Sequence, residues 1–510
     1  MNDSAATTLP LPISLDRIPH KLAIALALTA FADWLFYDQR LGISVAVFLS
    51  VLAAISLLAN PVLAGRRQSL LAAAILLAGL APIVEELNVL SATLGVLAVA
   101  VAVSALTNPF IDGLRDRFAA ARALLLTGPF RLPFDVIGSA QWSPTLRHLT
   151  VWIVPLVLGA IFAALFSSAN PLIENWLGAI DLKWVMSHLS VPRLLFWTVA
   201  LSVVWPFVCL KWRRRRQRAA PQAAADPSTE SLGRAPGDLW GAAAILRSLL
   251  LFNLLFAVQT VLDLVYLWSG VALPDGMTYA AYAHRGAYPL IVTALLAAGF
   301  VLVAIKPGGD EERRPLLRAL VFLWIAQNVM LVVSSMLRLD LYVQVYSLTY
   351  WRLAAFVWML LVATGLVLIV ARIAFNRSNR WLVRRNLAAL ALTCYVCAFI
   401  NFPSVIADYN VDHCYEMSGA GQRLDFWYVA GLGPQALPAL DRYISRGAPT
   451  SGAGWFSARH DMLVKGYHDE LDSWRAWSFR GWRLQRYLDR MQDISASQPE
   501  RAGPSKKSTE

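Results

Sequence analysis

A 510-residue chain that is 57% hydrophobic and 15% charged, with a mean hydropathy of +0.52, is too apolar for a soluble domain. Its net charge of +12 does not mark a nucleic-acid binder. The sequence from Ser404 onward carries 13 acidic and 13 basic residues, so the whole excess falls in the apolar part. Of four cysteines only Cys414 stands clear of an apolar stretch, which excludes a disulfide framework.

A membrane-spanning helix needs about 20 mostly apolar residues. Eleven stretches qualify as predicted spans. Six precede a polar linker: Leu22–Tyr37, Leu41–Leu63, Ser69–Val84, Val89–Ile111, Leu149–Ile173 and Leu194–Leu210. Five follow it: Ser248–Leu273, Tyr288–Ile305, Ala319–Leu337, Leu353–Ala371 and Asn386–Ala407. The first and third are short, about 16 residues, and a re-entrant hairpin is the alternative at either. The gaps assigned to the cytoplasm hold 26 Lys and Arg, among them Arg66, Arg67, Lys211 through Arg218 and Arg372 through Arg385. The opposite gaps hold 6. This alternation places the N terminus in the cytoplasm and the C terminus outside. The basic excess is therefore topological, with a second use against anionic head groups. The first apolar run follows 21 residues and lacks a cleavage site, so it reads as a retained helix rather than a signal peptide. Arginine makes up 38 of the 45 basic residues and alanine is abundant, which suggests a GC-rich bacterial genome and a bacterial inner membrane.

The organisation that follows is an all-α polytopic bundle. Residues 1–21 form a cytoplasmic N terminus, 22–211 a first membrane half and 212–247 a basic, disordered cytoplasmic linker. Residues 248–407 form a second half, 408–494 an extracytoplasmic helical tail and 495–510 a disordered end. No inverted repeat relates the halves. In the cytoplasmic loop 112–148, Leu114, Phe118, Ala121 and Leu125 share one face of an amphipathic helix ended by Pro129 and Pro133. The tail suggests helices over Ser404–Gly419, Asp425–Arg446 and Ala458–Asp493. In the last, Trp474, Trp477, Gly481, Leu484, Leu488 and Met491 form one stripe, facing either the membrane interface or the other tail helices.

No residue constellation reaches a catalytic, cofactor or metal signature, and no cofactor is expected. Cys394 and Cys397 form a CxxC inside an apolar helix, without the accessible electropositive setting that thiolate chemistry needs. Asp412, His413 and Cys414 are adjacent, and neighbours on a helix point about 100° apart. Ionisable and amide side chains at membrane depth carry more information, because burying them in lipid is costly. Asp263, Gln259, Gln327 and Asn328 are the candidate polar membrane site, read either as a route between helices or as hydrogen bonds that fix packing. Glu85, Asp275, Arg285, Arg338, Asp340 and Arg352 are the candidate outer-face site, where arginines could pair with Asp275 or Asp340 and cap the bundle. Interfacial anchoring by Tyr and Arg is the competing reading there.

Several separated motifs carry a resemblance. They are Gly276-Met-Thr-Tyr279 with Tyr282-Ala-His-Arg-Gly286, Tyr346-Ser-Leu-Thr349-x-x-Arg352, Asp408-Tyr-Asn-Val411, Leu432-Gly-Pro434 and Ala436-Leu-Pro-Ala439. Through them the chain resembles a large bacterial family of polytopic membrane proteins classed as a domain of unknown function. The likeness is best over about residues 250–443, with a weaker match at Pro82-Ile-Val-Glu85. The resemblance implies an inner-membrane protein with an outside helical tail, and brings no activity with it. The expected function is a non-enzymatic envelope scaffold or regulator, with the lipid bilayer and an envelope protein or lipid as partners. The alternatives are a transporter using the polar membrane site, and an enzyme acting on a lipid-linked substrate through Glu85, Asp275 or Asp340.

Overall fold

The computed structural model describes residues 18–108, 114–137, 190–212, 242–265, 315–446, 453–471 and 473–497, apart from a few isolated positions. Among these residues the chain is helical throughout, with no strand. In chain order the α-helices are α1 Ile18–Phe36, α2 Ile43–Ala59, α3 Arg66–Glu85, α4 Val89–Thr107, α5 Leu114–Arg122, α6 Leu132–Ile137 and α7 Val191–Val208. They continue with α8 Ala242–Asp263, α9 Pro315–Tyr346, α10 Tyr350–Ala374 and α11 Asn379–Cys397. The remainder are α12 Phe402–Asp412, α13 Tyr415–Ser418, α14 Phe426–Gly431, α15 Leu437–Arg446, α16 Ala453–Leu471 and α17 Phe479–Ser497.

Seven described helices (α1, α3, α4, α7, α8, α9 and α10) are long and apolar enough to cross a membrane. The stretches expected to be short extend to 19 residues in α1 and 20 in α3. α2, at 17 residues, is apolar but shorter. The expected fifth span and most of the eighth lie outside the described residues, as do residues 1–17, 213–241 and 498–510. The linker and end expected to be disordered are helix at 242–247 and 495–497, and α1 starts at Ile18 rather than Leu22. The eleventh expected span is not one straight rod. α11 and α12 meet at a bend of 69°, because the helix ends at Cys397 and a new one starts under an Asn401 cap, with Pro403 in its first turn.

The chain divides into two compact units: residues 1–218 with 470–510, and residues 219–469. In the first, α3 and α4 form a tight antiparallel hairpin, and α1 packs on α7. Small residues let the backbones approach: a Cβ on Gly79 would run into the Cβ of Ala98. Polar side chains tie one end of this unit. Ser56 Oγ donates to the Phe207 carbonyl at 2.6 Å, Asn60 Nδ2 to the Phe207 and Val208 carbonyls at 3.2 Å, and Lys21 to Asn60 at 3.3 Å. Beyond the expected loop helix, realised as α5, the chain runs through a π-turn at Ala123–Thr127 into α6. Leu124 and Ala121 are buried there, and Phe118 is exposed.

The last helix belongs with the first half. The single stripe expected from Trp474 to Met491 is interrupted: Trp474–Ala476 is a 3-10 turn, Trp477 is extended, and α17 starts at Phe479. Gly481, Leu484 and Leu488 keep the buried face, while Trp474 and Met491 are exposed.

In the second unit α8 packs on α9, α9 on α10 and α10 on α11. α12, α14 and α15 enclose a separate small core of Ala407, Val411, Phe426, Val429, Leu440 and Tyr443. α9 has 32 residues and is about 48 Å long, well beyond a hydrocarbon core of about 30 Å. The stretch from Arg338 to Tyr346, read from sequence as an outer loop, is therefore helix.

Candidate functional site

Within the second unit, Asp263 ends α8 and is 1% exposed. Arg338, three turns beyond Gln327 on α9, forms a buried ion pair with it, and Gln259 Nε2 donates to the same carboxylate at 2.9 Å. Desolvating each ion costs several kcal/mol, so the pair persists only because the charges are matched in close contact. Gln327 Nε2 donates to the Asn253 carbonyl at 3.0 Å, and Asn253 Nδ2 to the Leu320 carbonyl at 3.1 Å, joining α8 to α9. Asn328 Nδ2 instead bonds back to the Trp324 carbonyl of its own helix at 2.8 Å. The four residues of the polar membrane site thus share the α8–α9 region without converging. Asp263 and Gln259 sit with Arg338, and Gln327 lies about 16 Å further along the helix. The side-chain oxygens of Asn253, Gln327 and Asn328 are buried with no hydrogen-bond partner among the described residues.

The expected outer-face group is dispersed. Asp340 accepts from Gln344 at 2.8 Å, and Arg352 donates to the Tyr346 carbonyl at 2.5 Å and to that of Ser347. The Arg352 guanidinium also rests 4.4 Å from the Tyr342 ring centroid. It closes the turn between α9 and α10, where Ser347 adopts φ +67°. A second device holds the same turn: Asn410 Oδ1 accepts from the Leu348 N–H at 2.6 Å, and Asn410 Nδ2 donates to the Leu348 carbonyl at 2.9 Å. Tyr428 Oη accepts from the Tyr350 N–H at 3.1 Å. Two motifs from distant parts of the sequence, Tyr346-Ser-Leu-Thr349 and Asp408-Tyr-Asn-Val411, thereby form one latch. Asp275 and Arg285 lie outside the described residues.

In the first unit, Glu85 closes α3 and is buried at 8% exposure. The negative end of its own helix dipole disfavours a carboxylate there. Arg480 Nε, 3.4 Å away, and the Arg483 guanidinium both meet it from α17. Those arginines sit in the first turns of α17, where the dipole disfavours positive charge, so each partner offsets the other's misplacement. Ser478 donates to Glu86 at 2.9 Å, the Ile43 N–H donates to the Trp477 carbonyl at 2.9 Å, and Gly42 lies against the Ala476 backbone. The same pattern recurs at Asp33, in the last turn of α1, whose carboxylate is held by both faces of the Arg193 fork at the start of α7.

Among the described residues of the tail, Cys414 and His413 are held by local contacts. Burial pushes the Cys414 thiol up, and its Sγ donates to the Val411 carbonyl. His413 stacks on Tyr409 with ring centroids 4.1 Å apart. Burial also pushes the Tyr443 hydroxyl up to about 12. His460 bridges Asp441 on α15, at 2.8 Å, and Asp461, at 3.2 Å. The hydrogen bond to Asp441, opposed by burial and aided by Asp461, raises its pKa above the ordinary value. Among the described residues no group of three or more His, Cys, Asp or Glu is placed to hold a metal ion.

Four residues that do most of this work, Arg193, Asn410, Arg480 and Arg483, were not singled out from the sequence. For three of them the legible signal was a carboxylate in the last turn of an apolar helix, which calls for a cation from elsewhere. No curated protein and no solved structure matches the chain. A family model does, over residues 22–443, which extends the resemblance well toward the N terminus. With its several apolar helices the chain is an integral membrane protein, and it belongs to the family described as a domain of unknown function, DUF4153.

Proposed function

We propose that the protein is a non-enzymatic scaffold or regulator of the bacterial envelope, embedded in the inner membrane and acting through extracytoplasmic loops and tail. The observation that supports this reading is the pairing of Asp33, Glu85 and Asp263 with arginines of other helices. Carboxylates that a proton-coupled carrier or a hydrolase would keep addressable are used here to join segments. The tail, by contrast, presents large apolar side chains such as Trp427, 63% exposed, over its own packed core. The test exchanges the charges. Asp263→Arg with Arg338→Asp restores both stability and the phenotype of a deletion strain if the pair is structural. Restored stability with a persistent null phenotype would overturn the reading.

A transporter is the second reading, favoured by the three buried amide oxygens at Asn253, Gln327 and Asn328. Such atoms call for water or a passing donor. A cysteine at 327 in a background lacking the native cysteines is labelled by an impermeant thiol reagent under this reading. Protection from both faces counts against it.

A further inference from the structure

We propose that the segment from Trp474 to Arg486, together with Trp34, is an interfacial face that holds the head groups of anionic phospholipids. The inference deepens the proposed role by naming a lipid partner for the tail. It depends on that role only in placing this end of the first unit at a membrane surface.

The argument starts from which way the residues of α17 face. Arg480, Gly481, Leu484 and Leu488 are buried, whereas Phe479, Trp482, Arg483 and Arg486 are exposed. A helix that packs through one apolar stripe and still shows aromatic rings on the other side has two apolar surfaces, and water suits only one of them. The exposed rings are not isolated. Phe479 and Trp482 stack with centroids 5.4 Å apart, and Trp34 and Trp474 lie 6.1 Å apart at 55% and 50% exposure.

Every one of these rings carries an arginine. The Arg475 guanidinium lies 4.7 Å from the Trp34 centroid and 5.4 Å from Trp474, Arg483 lies 4.9 Å from Phe479, and Arg486 lies 4.9 Å from Trp482. Arg483 is also engaged by Glu85, so the guanidinium groups of Arg475 and Arg486 are the ones assigned to phosphate, which each can take through two parallel hydrogen bonds while one face rests on a ring. The rings beneath belong to the residue types that settle at the boundary between hydrocarbon and head groups. Trp34 fixes the depth, since it stands in the last turn of a helix apolar enough to cross a membrane. Asp489 and Asp493 share the outward face further along, which confines the patch to residues 474–486.

Full-length protein in nanodiscs of phosphatidylglycerol or phosphatidylcholine, each carrying a photoactivatable group beside the head group, tests this. Adducts are expected in the peptide spanning residues 474–486, predominantly with phosphatidylglycerol. Their yield should fall about fivefold for each arginine removed in Arg475→Gln/Arg486→Gln. Should the double variant unfold in detergent, Arg486→Gln alone, whose guanidinium rests on Trp482, keeps the test open. Equal adducts with both lipids overturn the anionic preference. Adducts with neither overturn the whole inference and leave a protein as the occupant, while the charge-exchange result on Asp263 and Arg338 still stands by itself.

Discussion

Arg480 Nε lies 3.4 Å from Glu85 Oε1, across 395 residues of sequence. The contact joins two buried side chains, each set against the dipole of its own helix. Replacing Glu85 with Gln removes the carboxylate that the buried Arg480 and the Arg483 guanidinium share, at an expected cost of about 3 kcal/mol. Thermal unfolding in detergent measures the loss. Adding Arg480→Leu should recover part of it, giving a coupling energy well outside additivity.

Gly42→Ala should release the same segment without touching a charge. Its Cβ would collide with the carbonyl group of Ala476, beside the hydrogen bond from the Ile43 N–H to Trp477. Overpacking of this kind costs about 1–3 kcal/mol. Proteolytic cleavage between residues 473 and 479 should accelerate, with no change in the protection of α8–α10.

The latch at Leu348 is tested at Asn410. Asn410→Ala leaves a buried N–H and a buried carbonyl without partners, for an expected loss of about 2–3 kcal/mol. Asn410→Asp keeps the acceptor but sets a buried carboxylate oxygen against the Leu348 carbonyl, so at neutral pH its loss should be at least as large. Hydrogen exchange at the α9–α10 turn reports both.

His460 gives the tail a pH dependence. Its folded pKa is raised, chiefly by the hydrogen bond to Asp441, so its contribution is complete below the unfolded value near 6.5. It is lost as pH rises through the folded value. Exchange protection of α15 and α16 should therefore fall on going from pH 6 into the alkaline range, and His460→Gln should abolish the dependence.

The helices were legible because apolar run length is written directly in the sequence, and α3, α4 and α10 lie where composition puts them. Charge was less well read. Arg338 looked like a loop residue because hydropathy falls at Leu337, yet the helix continues for two more turns and turns that arginine toward Asp263. Asp263 itself was recognisable as a residue needing a partner, but which partner is a matter of helix phase. The return of α17 to α3 was not legible. The signal is one carboxylate in the last turn of α3 and two arginines nearly four hundred residues later, with nothing local to connect them. The Asn410 latch is hidden in the same way, because its two motifs lie 62 residues apart.

The docking of residues 473–483 on α1, α2 and α3 also sets an order on biosynthesis. Helices of the first half can enter the bilayer and associate as they leave the ribosome, but Glu85 meets Arg480 only after 395 further residues have been made. Until then the Glu85 carboxylate lacks the two arginines that meet it in the folded protein, a state that quality-control proteases can recognise. A nonsense mutation after residue 470 would retain the seven helices long enough to cross a membrane and still condemn the product, because an element translated nearly four hundred residues later completes helices inserted early.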